Sequence, residues 1–385
     1  MRITIVSGFF LPVPPCAGGA MEKIWWRLAR EFAGRGHEVT LFSRCWPGWP
    51  RAEVRDGVRL QRRRGFDHRH SRSVNLILDA VWGARLTRAL PSADILVTNT
   101  IGLPIWVRAL RRDAGQLVVN LNRHPKGQLR VYRDVARLQA ASAAIGRAAL
   151  DQAPRLRSVL RITPNPIDAH LLAAAAAARQ RPPSPLRIGY HGRLHPEKGL
   201  LLLLEAARLL LARTDTPPWT LVLRGPIDVA RGGGGPSFLQ ELEQAAAPLR
   251  EGNRFQRLEP EFDDARLAAA YADLDVFCYP TAAESGEALP VAVLEAMAAA
   301  RPVIVTDLPC FNGLVQTGVT GCVLKNWKHS DAPARLADQL AELLLSPEKR
   351  ANLGATAARA VAPLDFSVVA DAMLSDFSSL LDAAR

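Results

Sequence analysis

Nowhere does the chain carry an uninterrupted apolar run of the roughly 18 residues that a membrane helix needs. Even GLLLLLEAARLLLA, residues 199–212, is broken by Glu205 and Arg208, so no spanning segment is expected. Cysteine is scarce: Cys16, Cys45, Cys278, Cys310 and Cys322 are odd in number and widely spread, with no C-x-x-C pair and no cysteine and histidine cluster. That pattern excludes a disulfide framework and a structural zinc site and predicts free thiols in a cytoplasmic protein. The N-terminal apolar stretch reads as a buried first strand in preference to a short secretory signal, because Pro12, Pro14 and Pro15 interrupt it and one basic residue precedes it. Short tandem repeats, a D-x-D metal motif at a strand end and the interleaved aromatics of a nucleic-acid binder are also missing.

What is present is the composition of an ordinary globular protein: 385 residues, 48% hydrophobic and 22% charged, enough for two or three domains. The net charge of +12 is unevenly placed. Residues 1–165 hold 28 Lys and Arg against 11 Asp and Glu, and the remainder holds 21 against 26. The two halves therefore face different partners. Arg62, Arg63, Arg64, Arg69 and Arg72, then Arg108, Arg111 and Arg112, then Arg123, Lys126, Arg130 and Arg133 form the basic clusters of the first half.

The opening reads as strand RITIVSG, a Pro and Gly loop, a helix with Ile24, Trp25, Leu28, Ala29 and Phe32 on one face, a stop at Gly34 and Gly36, then strand HEVTLFS. That is a βαβ unit. ADILVTN (93–99) and LVVNLN (117–122) read as further strands. RITPNPID (161–168) and RQRPPSPL (179–186) break the pattern with prolines, after which strands and helices alternate again from LRIGYHG onward. GGGG at 232–235 reads as a mobile loop, and 366–385 as a final helix.

Two tandem parallel α/β domains present ligand-binding loops at the carboxyl ends of their strands. Three such loops carry candidate chemistry. Gly18 and Gly19 precede the first helix and would let its N-terminal amides meet a phosphate, although a turn without ligand significance explains them as well. Arg193 and Lys198 in YHGRLHPEKGL follow a strand and suit a diphosphate, the alternative being a solvated loop with two surface cations. In ESGEALPVAVLEAM, Pro290 fits a helix first turn, so Val291 and Ala292 offer free amides. Glu287 stands in the preceding loop and Glu295 inside the apolar helix. A carboxylate buried there without partners costs several kcal/mol. Ribose hydroxyls would serve it, and so would a neighbouring arginine.

Together, G-R-L-x-x-E-K-G (Gly192–Gly199), the E-x7-E pair Glu287 and Glu295, the N-terminal Gly-Gly with the later G-H-E-V-T, and P-N-P-I-D resemble the GT-B glycosyltransferases of family GT4 over nearly the whole chain. The resemblance implies retaining transfer of a sugar from a nucleotide diphosphate sugar, UDP- or GDP-linked. It implies Arg193 and Lys198 as the diphosphate clamp, Glu287 on the donor sugar, Glu295 on the ribose, and His124, by a looser match, beside the transferred sugar. Ala288 and Leu289 replace the commoner Gly and Phe of that loop, and Asn312-Gly313 stands where a Gly pair is frequent, departures that bear on the identity of the donor.

The expected fold is α/β of GT-B type, two Rossmann-like doubly wound parallel-sheet domains facing across a cleft. Residues 1–165 would bind the acceptor, 166–184 link, 185–365 bind the nucleotide sugar, and the 366–385 helix cross back to the first domain. No cofactor and no metal are expected, the cations and helix ends neutralising the leaving diphosphate. The acceptor is read as a glycan, a glycolipid or a small molecule, and the basic half as docking on an anionic membrane surface or an anionic acceptor, with peripheral attachment at the inner membrane. Competing readings are a nucleotide-sugar epimerase, a phosphorylase, for which a pyridoxal-bearing lysine motif is missing, and a basic membrane- or nucleic-acid-binding module.

Overall fold

The computed structural model describes residues 1–16, 18–67, 69, 71–180, 184–284 and 286–383. Arg181, Pro182 and Pro183 of the expected linker, and the side chain of Arg72, lie outside the described residues. The chain divides into two units, one formed by Met1–Pro166, Ser285–Leu289 and Phe366–Arg385, the other by Ile167–Glu284 and Pro290–Asp365.

The first unit is built on eight strands: β1 (Arg2–Val6), β2 (Glu38–Arg44), β3 (Ala52–Arg55), β4 (Val58–Arg63), β5 (Ile95–Thr98), β6 (Gln116–Leu121), β7 (Arg137–Ala140) and β8 (Leu160–Ile162). Their spatial order is β3-β4-β2-β1-β5-β6-β7-β8, and every pairing is parallel except β3 with β4. β1 is buried at Ile3, Ile5 and Val6, the continuous apolar run of a strand covered on both faces. β3 and β4 form a hairpin over Asp56-Gly57, both with positive φ, the turn geometry that matches strand twist.

That hairpin corrects one sequence expectation. β4 turns Val58, Leu60 and Arg62 inward, and Arg62 is only 1% exposed. Its guanidinium donates to Glu53 Oε1 at 2.5 Å and to the carbonyls of Pro50 and Val13, and it lies 4.8 Å from the Trp49 ring centroid. Arg62 is thus a buried structural cation that adds nothing to the basic surface. Arg108 is half-buried with its guanidinium on Gly115 O, and Arg111 is paired with Asp113, so the surface surplus is smaller than the residue count suggests.

Helix Ala20–Gly34 buries Ile24, Trp25, Trp26, Leu28, Ala29 and Phe32. Helix Phe366–Asp382 lies against it, with Phe377 edge-on to Phe32 at 6.1 Å. Arg35 holds Asp371 and the carbonyl of Ser367, and Arg137 of β7 donates to Asp376 at 2.8 Å.

The second unit carries β9 (Leu186–His191), β10 (Trp219–Arg224), β11 (Phe255–Leu258), β12 (Val276–Tyr279), β13 (Val303–Thr306) and β14 (Gly321–Leu324), all parallel in the order β11-β10-β9-β12-β13-β14. The segment read as a linker contributes helix Ala169–Ala177, whose start is capped by Asp168 and Asp365 and which packs on helix Asp264–Ala272. Its alanine run, read only as a spacer, has high helix propensity. The tetraglycine is also no free loop. Gly233, Gly234 and Gly235 donate their amides to Asp228, Leu194 and Ile227 at 2.8, 2.8 and 2.9 Å, and helix Gly235–Glu251 starts there.

Candidate active site

In the second unit, β9 ends at His191 and a 3-10 turn, Pro196–Lys198, precedes helix Leu200–Leu211. This short turn brings the two predicted cations to one carboxylate. Arg193 Nη2 donates to Glu197 Oε1 at 2.8 Å, and Lys198 Nζ stands 3.6 Å from the same oxygen. Arg193 Nη1 also donates to Gly232 O at 2.6 Å, so the tetraglycine segment aims the guanidinium. Lys198 is buried and lies 5.7 Å from the Tyr279 ring centroid, a cation over an aromatic face.

Burial by itself would raise the Glu197 pKa, yet Lys198, Arg193 and His195 outweigh it and hold the carboxyl below its usual range. Burial first, then Arg193 and Lys198, lowers the His195 pKa against the pull of Glu197. The group therefore sets two cations around the Glu197 carboxylate at the carboxyl end of a parallel sheet. Glu197 stood inside the recognised motif but was given no role from sequence.

Glu295 sits in helix Val291–Ala298 and is 8% exposed. Its Oε2 accepts from Tyr271 Oη at 2.9 Å. Tyr271, the penultimate residue of helix Asp264–Ala272, is fully buried, and its ring lies 4.5 Å from that of His191. Burial and the neighbouring Arg224 depress the His191 pKa to about 3, so the ring is neutral. Sequence reasoning did not find Tyr271. The available signal was a tyrosine on the buried face of an alanine-rich helix, whose hydroxyl must find a partner.

Pro290 is the residue before this helix rather than part of its first turn, and its carbonyl accepts the Val293 amide at 3.2 Å. Val291 and Ala292, half-buried, open the helix, where no intrahelical acceptor exists for their amides. Glu287 lies in the preceding loop, buried to 8% exposure, within the stretch grouped with the first unit. That stretch is anchored by Asn165 of the P-N-P-I-D motif, whose amide donates to Leu289 O at 2.9 Å.

In the first unit, Gly18 and Gly19 have φ of 89° and 97°, a region that other residues avoid. The start of helix Ala20–Gly34 is not left to a ligand alone. The carboxyl group of Glu22, in the first turn, folds back on its own amide and lies over Gly8 and Gly19. Burial pushes its pKa up to about 7, its own amide and Arg123 acting the other way. An acidic group at a proposed phosphate site was not anticipated, since spacing cannot show which way a first-turn side chain folds. His124 is half-buried in the loop after β6, next to exposed Arg123. Asp79 accepts the amides of Ile101 and Gly102, and burial raises its pKa to about 6.

All five cysteines are free thiols. Among the described residues no group of three His, Cys, Asp or Glu side chains is placed to hold a metal ion, and no helix is long and apolar enough to cross a membrane.

Residues 185–346 match the family model for glycosyl transferases group 1. Over 395 aligned residues the chain is 27% identical to a phosphatidyl-myo-inositol mannosyltransferase of Mycobacterium leprae, covering 99% of this chain and 97% of that one. Among solved structures, the sucrose-phosphate synthase of Thermosynechococcus elongatus is similar with a TM-score of 0.78 at 20% identity, over 99% of both chains. Anabaena HepE, solved in complex with UDP, is similar with a TM-score of 0.72 at 18% identity, over 98% of this chain and 100% of that one. The two parallel-sheet units, each Rossmann-like, have the GT-B fold of these neighbours.

Proposed function

The chain is a glycosyltransferase of the group 1, GT4 type, and from that premise we propose that it moves a sugar from a nucleoside diphosphate sugar to an acceptor hydroxyl with retention of configuration. The observation that carries the donor assignment is the convergence of Arg193 and Lys198 on Glu197. Two cations held close together after a strand suit a donor diphosphate, to which Arg offers a planar fork and Lys a point charge. The UDP bound to HepE supports the same ligand class.

In this reading Glu295 accepts from the ribose hydroxyls, and the amides of Val291 and Ala292 add the positive end of their helix to the diphosphate. Glu287 contacts hydroxyls of the sugar being moved, and His124 stands near the same sugar. The C1–O bond to the diphosphate breaks, the acceptor oxygen bonds to C1 on the same face, and the acceptor proton passes to the departing phosphate oxygen. Fixed cations and helix ends take the developing charge, so no divalent metal is called on.

The acceptor side rests on the first unit. The relatedness to a phosphatidyl-myo-inositol mannosyltransferase supports a lipid-bearing, anionic acceptor. So does the surface. Val74, Ile77 and Val81 of helix Arg72–Thr87 are exposed at helical spacing, Ile77 to 63%. Ile105, Trp106 and Leu110 of helix Leu103–Leu110, packed beside it, are exposed as well, with Arg85, Arg88 and Arg112 exposed in the same unit. An apolar stripe with arginines is the composition of a surface that lies on an anionic bilayer. In this reading the enzyme works at the inner membrane as a peripheral protein. Screening UDP- and GDP-sugars for hydrolysis, and for transfer to phosphoinositide and neutral acceptors, tests the reading; hydrolysis or transfer from none of them overturns it.

A further inference from the structure

Glu295 is a carboxylate on an apolar helix, and a side chain with three torsions does not hold one orientation unaided. The structure supplies a brace. Tyr271 Oη donates to Oε2 at 2.9 Å, with both groups buried. The Tyr271 ring is buried and packs against both His191, 4.5 Å between centroids, and Phe277, 5.7 Å between centroids, which in turn pack on each other. His191 is buried at the end of β9, and Phe277 lies in β12, next to it in the sheet. The ring that carries the hydroxyl is thus set by side chains of the sheet, and the hydroxyl gives one oxygen of the carboxylate a donor in a fixed place.

We propose that Tyr271 is a positioning residue for donor recognition: acting through Glu295, it holds the carboxylate in the one orientation that accepts from the vicinal hydroxyls of the donor ribose. The proposal rests on the reading of Glu295 as the ribose acceptor. It adds what fixes the plane of the carboxylate that faces the incoming donor. A tyrosine suits the task because its hydroxyl stays protonated; burial first, then the charge of Glu295, drives its pKa upward, so it donates at any working pH.

The test is calorimetric binding of UDP and of GDP, each compared with its 2′-deoxy and 3′-deoxy forms, to the full chain and to Tyr271→Phe. For whichever nucleotide binds, the full chain should prefer the ribose form by about tenfold or more, the worth of a hydrogen bond to a charged acceptor. In Tyr271→Phe the ribose form should weaken by about tenfold while the deoxy forms change less than twofold, so that the preference collapses. Donor KM should rise with kcat at saturating donor nearly unchanged. Adding Tyr271→Phe to Glu295→Gln should cost nothing further, because the two act as one unit. The ring keeps its packing against His191 and Phe277 in the variant, and a thermal melt within a few degrees of the parent checks that it does. If the parent does not discriminate ribose from deoxyribose, the reading of Glu295 itself falls. If the parent discriminates and Tyr271→Phe discriminates equally, Glu295 keeps its role and the bracing role of Tyr271 is wrong. A variant weakened equally toward ribose and deoxy forms also overturns the proposal, since a general loss of packing would act that way.

Discussion

The carboxyl group of Glu22 occupies the space that a side chain on Gly19 would need. Gly19 also stands at a φ of 97°, and this backbone conformation closes the turn into the first helix to other residues even if the end of Glu22 moves aside. The acid that fills it is buried, with a pKa near 7. In the unfolded chain it titrates at the ordinary 4.5. Between those values the folded state keeps a proton that the unfolded state has lost, so stability contributed by this group falls as pH rises from about 4.5 to 7. The difference amounts to about 3 kcal/mol. Glu22→Gln should therefore melt close to the parent at pH 5 and above it at pH 8. Parallel melting curves for the two proteins across that range would mean that Glu22 is not held neutral.

Arg193→Ala and Lys198→Ala should each weaken nucleoside diphosphate binding by about 1.5 to 3 kcal/mol, the usual worth of a charge-assisted contact. Calorimetry on folded variants decides it. Unchanged affinity in both would remove the clamp from the donor site and leave Glu197 as their structural counter-ion.

Glu295→Gln should chiefly raise the donor KM, whereas Glu287→Gln should chiefly lower kcat, because the contact proposed for one is to a part of the donor that does not react and that proposed for the other is to the sugar that does. Steady-state kinetics at varied donor separate the two. The reverse split would exchange their roles.

Transfer should survive EDTA if, as proposed, Arg193, Lys198 and the helix amides take the charge that a divalent ion takes elsewhere. Activity lost on chelation and restored by Mg²⁺ or Mn²⁺ would show a metal requirement that the residues of the clamp do not meet.

The exposed stripe of helix Arg72–Thr87 should bind vesicles that carry anionic lipid, and binding should fall between low and physiological salt. Ile77→Glu should reduce it more than Arg85→Ala, since it removes an apolar contact and adds repulsion. Equal sedimentation with neutral and anionic vesicles at low salt would point to a small neutral acceptor.

Residues close in sequence determined much of this protein without help from the fold. The run RITIV, the face Ile24, Trp25, Leu28, Ala29 and Phe32, and the following HEVTLFS declare a βαβ unit, because strand and helix periods are local and burial selects for them. The cations of Gly192–Gly199 are likewise legible, since one short turn after a strand is enough to bring Arg193 and Lys198 together. Even the hairpin at Asp56-Gly57 had a local signal, hidden by arginines that made β4 read as surface.

The tertiary structure alone decided the rest, because burial and hydrogen-bond partnership depend on residues far apart in the chain. Arg62 is surface charge until Glu53, Val13 and Trp49 enclose it. Tyr271 and Glu295 are 24 positions apart, on separate helices, and no spacing rule pairs them. The tetraglycine looks mobile until its amides find Asp228, Leu194 and Ile227 and its first carbonyl finds Arg193. A polar group at low exposure must be satisfied; the sequence states which groups have that need, and only the packed fold chooses the partner.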